Sequence, residues 1–504
     1  MAATHVLTAA ADLDPALISL VAAGDQVTLA PELARQVDAR CAAARAVLAG
    51  GQAVYGVSTG MGALSSVALT EAEQARHQAN LMLGRATGGP PWLPPADVRA
   101  LFAVRLATFL TGDAGVSAAL CRRLTDFLAA GLVPAVPAGA AGTAGEIVPS
   151  AHAFGPLTGA GSVLTADGAS VRPAGEALAG SGLGAFSLGP KEGIALLAGV
   201  PGATALSLLA EAEAATVAQM LESAAALSIA AIGAPRDPYE ALCARGDEVQ
   251  AAVLARLRQR LSGAAADAAA GREPRMLQAP VSFRVAGPVL AHLARSAAAL
   301  AAAVRRALAG VTDSPAFTGD RFIGTAGFHG IDLAAHCDQL TAAVAHAAEV
   351  GAARTHRLLD PKVTRLPAQL AARPGPDAGL VAVHKRAAGE VHALRRLAAG
   401  TAAFGTMETS GGQEDVQSFA WAAAMNLRAA LRHARLVAAC EVLTAFQAAT
   451  LAGGLAGGLA GSGGAGLVTA ADLVRVLAGI VEPVTADRPL GPDIERLAAG
   501  SWLA

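Results

Sequence analysis

Apolar positions run through this chain in long stretches separated by short polar or glycine-rich interruptions. Ala, Leu, Arg and Glu dominate 205–232, 288–310, 332–358, 378–404 and 418–451, with turn residues between them. Runs rich in Val, Ile, Tyr and Thr are short and scarce, so the pattern predicts an all-α protein. Long Ala-rich helices without a strongly polar face bury most of their surface, which predicts a central bundle and further burial by other subunits. Aromatic residues make up only 3% of the chain, so Ala and Leu must fill that core and let helices approach closely. The pattern also divides the chain, with an N-terminal region over 1–204 that carries most glycine-rich loops and a long-helix bundle over 205–504.

One stretch calls for a membrane test. No charged residue occurs from Val442 to Ala471, which exceeds the length of a transmembrane helix. The segment 452-AGGLAGGLAGSGGAG-466 is glycine-dense, however, and Gly costs a helix interior about 1 kcal/mol relative to Ala. A buried helix ending near Leu451, followed by a low-complexity loop, fits better. The N-terminus lacks the basic and apolar regions of a signal peptide, so a soluble, cytoplasmic protein is expected. With a net charge of −2 and 15% charged residues, nothing indicates a nucleic acid or membrane partner. The five cysteines lie far apart, as expected of buried, reduced thiols rather than a metal or disulfide framework.

Candidate chemistry sits in the interruptions, where function tends to be held by a rigid scaffold. They are 54-VYGVSTGMG-62, 139-GAAGTAGEIVPSAH-152, 278-QAPVSFR-284, 325-TAGFHG-330 and 408-ETSGGQED-415. Tyr55, one of two tyrosines, offers a phenol for acid–base work or simply a packing ring. The planar fork of Arg284 suits a carboxylate, or pairs with a structural acid such as Glu414. Glu414 and Asp415 are candidate acid–base carboxylates, and equally a helix start. His152 and His329 lack metal-ligand spacing, so no metal site is expected.

Taken in order, YGVSTGMG, GTAGEIVPSAH, KEGIALLAG at 191–199, QAPVSFR, FHG and GGQED closely resemble the motifs of the histidine and phenylalanine ammonia-lyase family. The resemblance runs from about residue 14 to about residue 450. It implies that family's all-α fold and a homotetramer with active sites shared between subunits. It also implies roles: Tyr55 as general base, Glu414 as a second catalytic group and Arg284 as carboxylate clamp. Gln278, Gln413 and Asn80 would line the substrate site and Phe328 would wall it. The ring-selecting position is Arg85 in 80-NLMLGRA-86, and a guanidinium there suits an anionic or hydrogen-bond-rich group better than a bare phenyl ring.

The family's prosthetic group, a methylidene-imidazolone (MIO), forms from an Ala-Ser-Gly or Thr-Ser-Gly tripeptide whose Ser loses water to leave an exocyclic methylene. The tripeptide here is Thr143, Ala144 and Gly145, and Ala144 has no hydroxyl to lose. No MIO and no other cofactor is therefore expected. Other positions near that group depart as well. Glu146 stands for the family's Asp, Ala198 for the Asn after the KEG motif, Val281 for the Tyr before Ser-x-Arg, and Gly327 for the Asn before Phe-His-Gly. Three readings stay open: a lyase or cyclase repurposed for MIO-independent elimination, conjugate addition or cyclisation; a non-catalytic scaffold; and an engineered Ser-to-Ala variant of an ordinary ammonia-lyase or aminomutase.

Overall fold

The computed structural model describes residues 2–139, 144–165, 168, 170–262, 276–401, 408–453 and 467–503. The fold is all-α, as the pattern predicts. The described strands are short pairs: β1 (Thr4–Leu7) parallel to β2 (Gln26–Leu29), β3 (Ser162–Leu164) antiparallel to β4 (Val171–Pro173), and β5 (Ala316–Phe317) antiparallel to β6 (Phe322–Ile323).

The chain divides into two compact units, each assembled from three sequence segments. The first comprises Met1–Ala210, Leu300–Cys337 and Thr401–Met425; the second comprises Glu211–Ala299, Asp338–Gly400 and Asn426–Ala504. In the first unit, α1 (Pro15–Ala23) starts where the Asp14 carboxylate accepts the Leu17 amide and Pro15 fills the first helical position. It packs on α2 (Pro95–Leu110), which is buried almost all round. Between them in sequence lies the Tyr55 loop, and then a helix important to the site, Glu71–Gly84, opened by a capping box in which Glu73 accepts from both the backbone and hydroxyl of Thr70.

The long helices follow the apolar stretches closely: Pro201–Ile232, Ala286–Ala309, Ile331–Leu358 and Ala420–Leu451. The last ends at Leu451, where glycines begin, and 454–466 lies outside the described residues. The stretch expected over 378–404 is shorter, Val381–Leu397. Gly379 and Gly400 bracket it with φ of +60° and +78°, a conformation that stops a helix at either end. By length and composition Glu192–Ile232, Ala286–Ala309 and Ala420–Leu451 could each cross a membrane; their most apolar windows are 89%, 44% and 78% buried within the protein. All five cysteines are free thiols; four are buried, but Cys243 is exposed on a one-turn 3-10 segment.

The second unit is held by a buried ion pair. Arg354 meets Glu441 through two hydrogen bonds of 2.5 and 3.0 Å, and Ser228 donates to the same carboxylate at 2.7 Å. The remaining arm of Arg354 donates to the Ser282 carbonyl at 3.0 Å. All four of these groups are thereby satisfied away from water, which is the condition under which a buried pair is tolerated. Glu441→Ala leaves the Arg354 charge buried without its partner, at a cost of roughly 3–5 kcal/mol. Denaturant unfolding of the two proteins measures it; a loss below about 1 kcal/mol would show that the pair does not support this unit.

Candidate functional site

The first unit brings together most of the residues singled out from the sequence. Gly62 has φ of +58°, and its amide donates to the Tyr55 hydroxyl oxygen at 2.8 Å, closing the loop back on its own phenol. The buried Gln78 fixes this loop from below: its amide donates to the Gly56 carbonyl at 2.9 Å and its oxygen accepts the Ile194 amide at 3.1 Å. One side chain therefore ties the Tyr55 loop to the KEG segment, whose helix is Glu192–Leu197.

A second loop closes on the first. A Cβ at Gly62 would lie 3.1 Å from that of Ser410, and one at Gly411 would lie 3.2 Å from that of Ala63. Thr409 pairs with Glu414 through backbone bonds in both directions and through its hydroxyl to the Glu414 carboxylate. Gln413 is exposed beside it. Arg85, at the C-cap of the Glu71–Gly84 helix, is half-buried and reaches Met61 Sδ at 3.7 Å. Burial pulls its guanidinium below the ordinary arginine range, while the nearby Tyr55 phenol and Glu414 carboxylate push it back up. Tyr55, Arg85 and Glu414 thus share one electrostatic neighbourhood. Asn80 lies exposed on the same helix, roughly 140° round the axis from Arg85 at 3.6 residues per turn.

Thr143 lies outside the described residues. Ala144 and Gly145 are half-buried, and Gly145 has φ of +83°. A Cβ there would sit 3.3 Å from the Gly199 carbonyl oxygen and 3.9 Å from Phe328 Cβ, so the loop rests on the end of the KEG segment and on the Phe328 turn. Gly327 has no room for a side chain, because a Cβ would come within 2.0 Å of the Val311 carbonyl oxygen.

Behind this loop the unit buries four ionisable groups, of which the sequence reading noted only Glu146, as a departure from a motif. Arg105, fully buried, donates to the Ala198 carbonyl, and its guanidinium lies over the Phe109 and Phe154 rings. Lys191 and Asp313 are both buried and meet at 2.6 Å. Burial pushes the lysine's pKa down and the aspartate's up, and each offsets the other's shift. Glu146 accepts the amides of Gly202 and Ala203 at 2.6 Å each, capping the first turn of Pro201–Ile232. Trp421 closes that turn, with Gly202 present because a Cβ would lie 2.1 Å from its ring. The available signals were one arginine inside the apolar run 100-ALFAVRLATFL-110 and one of three lysines in the chain.

In the second unit, Arg284 ends the short helix Val281–Arg284 and has its Nε buried with no hydrogen-bond partner among the described residues. The two residues before it are held by their carbonyls: Tyr239 donates to that of Phe283 at 2.6 Å, and Arg354 to that of Ser282. Gln278 is exposed in the preceding turn. No cluster of three or more His, Cys, Asp or Glu suited to a metal ion occurs among the described residues.

The aromatic amino acid lyase family model matches residues 13–473, and the chain belongs to that family. It is 34% identical to histidine ammonia-lyase from Streptomyces coelicolor, over 95% of this chain and 92% of that one. It is 32% identical to histidine ammonia-lyase from Rhodospirillum rubrum, over 94% and 91%. Among solved structures, tyrosine aminomutase from Streptomyces globisporus matches with a TM-score of 0.87 at 25% identity, covering 100% of this chain and 98% of that one.

The Glu146 carboxyl makes the loop region pH-sensitive. Two helix-terminal amides and the Arg105 charge favour its anion, but burial outweighs them and raises its pKa from 4.5 to about 7. The folded protein then holds a proton that the unfolded chain releases, so this residue's contribution to stability falls as pH rises from 4.5 to 7. The fall is on the order of 3 kcal/mol. Glu146→Gln removes it: unfolding measured across that range should show the variant gaining on the wild type as pH rises. Parallel profiles would contradict the buried, proton-holding carboxyl.

Proposed function

We propose that this chain is an ammonia-lyase-family protein that works by acid–base chemistry without MIO, on a small molecule bearing a carboxylate or other anionic group. The observation carrying this reading is the surroundings of Ala144. The loop has a methyl where MIO formation requires a hydroxyl, and its neighbours have changed with it. Ala198 offers only a methyl while its carbonyl is committed to Arg105. Gly327 is built into a backbone that would exclude any side chain. The residues present do not fit the prosthetic group. An engineered Ser-to-Ala variant would differ at one position, not at a set of positions with a backbone fitted to them.

In this reading the substrate supplies its own electron sink. Tyr55, held by the Gly62 amide, takes a proton from the carbon beside an acidifying group on the substrate. The electron pair forms a double bond as the leaving group departs, and Glu414, fixed by Thr409, is the second proton carrier. Arg284 holds a carboxylate, Phe328 walls the site, and Gln278, Gln413 and Asn80 contribute polar contacts. Arg85 receives the distal part of the substrate. The apolar Ala286–Ala309 helix, less than half buried in its apolar window, supports a homotetramer with sites shared between subunits. We place the protein in the cytoplasm, with no nucleic acid or membrane partner.

Ala144→Ser separates the readings. The account predicts little or no MIO absorbance and no ammonia release from histidine, phenylalanine or tyrosine, because the hydroxyl returns to unchanged surroundings. Strong lyase activity after this single change would make the chain an engineered ammonia-lyase. Tyr55→Phe should cost about 10²–10⁴ in rate on the native substrate while leaving assembly intact. Arg284→Lys should mainly raise KM through loss of the bidentate fork. Unchanged biological function in both variants would favour a scaffold.

A further inference from the structure

His77 belongs to no motif discussed above, yet it faces the same neighbourhood. It lies two turns before Arg85 on the Glu71–Gly84 helix, with the buried Leu81 midway between. Spacings of four and eight residues place all three along one side of a helix, and side chains there lean toward the N-terminus. Both side chains lean the same way, and the longer arginine reaches back along this side toward His77 across the roughly 12 Å of rise between the two positions. His77 is half-buried, and its Nε2 is buried with no hydrogen-bond partner among the described residues. A buried ring nitrogen without a protein partner is placed to meet a polar group of a bound molecule.

We propose that His77 is a further specificity-determining residue, which together with Arg85 selects a substrate whose distal end carries a carboxylate or similar oxyanion. This rests on the reading of Arg85 as the residue that meets the distal part of the substrate. Arg85 alone presents a fork of donors; His77 adds a donor when protonated, and a proton that binding can recruit. Without ligand, burial and then the Arg85 charge hold the His77 pKa below the ordinary histidine range. An anion on Arg85 cancels that repulsion and raises it again, so binding couples to proton uptake. Other charged groups nearby are held by partners or, like Glu71 and Arg76 on its own helix, exposed to solvent. On its own helix Glu73 is held by Thr70 and flanked by Arg76. On the segments packed against that helix, Lys191 pairs with Asp313, Glu192 accepts from Ser117 and Gly189, and His152 accepts from Gly88. Tyr55 and Glu414 face Arg85 from the loops.

The test uses two probes that differ only at the distal end, trans-cinnamate and 4-carboxycinnamate, titrated calorimetrically into the full-length protein at pH 6 and pH 8. A charge-assisted hydrogen bond worth about 1.5–3 kcal/mol gives the wild type a preference of about 10- to 100-fold for the dicarboxylate. That preference should grow about tenfold from pH 8 to pH 6, with proton uptake visible as a dependence of the heat on buffer ionisation. His77→Leu should flatten the pH dependence and abolish the uptake. His77→Gln keeps a neutral donor, and should retain part of the preference without titrating, which a purely structural role would not produce. Circular dichroism confirms that both variants are folded. If Arg85→Met loses the preference while His77→Leu keeps both it and its pH profile, the inference about His77 falls and the reading of Arg85 stands. If the wild type binds both probes equally, or neither, both fall.

Discussion

A guanidinium with no access to water ties the helix Pro95–Leu110 to the end of the KEG segment. Arg105 donates to the Ala198 carbonyl from a position stacked on two aromatic rings. That carbonyl ends the KEG helix, and the next residue, Gly199, is the surface on which Gly145 rests. A buried cation tolerates burial only when its surroundings are arranged to compensate it. Asp313 supplies that compensation electrostatically, with Glu146 adding to it where it is ionised; both are themselves anchored, one to Lys191 and one to a helix terminus.

Small residues then decide what the site can do. Glycine at 62, 145 and 327 allows backbone segments to approach within distances that a Cβ would forbid or strain. Close approach lets a Tyr loop and a Glu loop lock together through Gly62 and Ser410. It also lets the Ala144 loop sit directly against Phe328. In this account the space near Ala144, Ala198 and Gly327 has given up functional side chains, whereas the neighbourhood of Tyr55, Arg85 and Glu414 keeps a full complement of them. Chemistry would then depend on proton transfer and anion recognition.

The sequence made the fold legible because long apolar periods with glycine at their ends leave few alternatives to buried helices. Leu451 ends its helix where glycines begin, and Gly379 and Gly400 shorten another that composition alone extends too far. The candidate site was legible where residues cluster in loops, as at Tyr55–Gly62 and 408–415. It was much less so where single residues act from inside helices. Arg105, Gln78 and His77 lie within helical patterns, and only tertiary packing reveals that the first two meet segments far away in sequence. Lys191 and Asp313 are 122 residues apart, a pairing that no local pattern signals. Glu146 read as a departure from a motif; its role as the cap of a long helix required the fold.

The central claim is that this member of the aromatic amino acid lyase family carries no MIO, and intact-protein mass spectrometry of the purified chain addresses it most directly. MIO formation removes two water molecules from the polypeptide and creates a chromophore in the near ultraviolet. The account predicts the full mass of the encoded sequence and no such absorbance. A mass lower by two waters, accompanied by that absorbance, would contradict it.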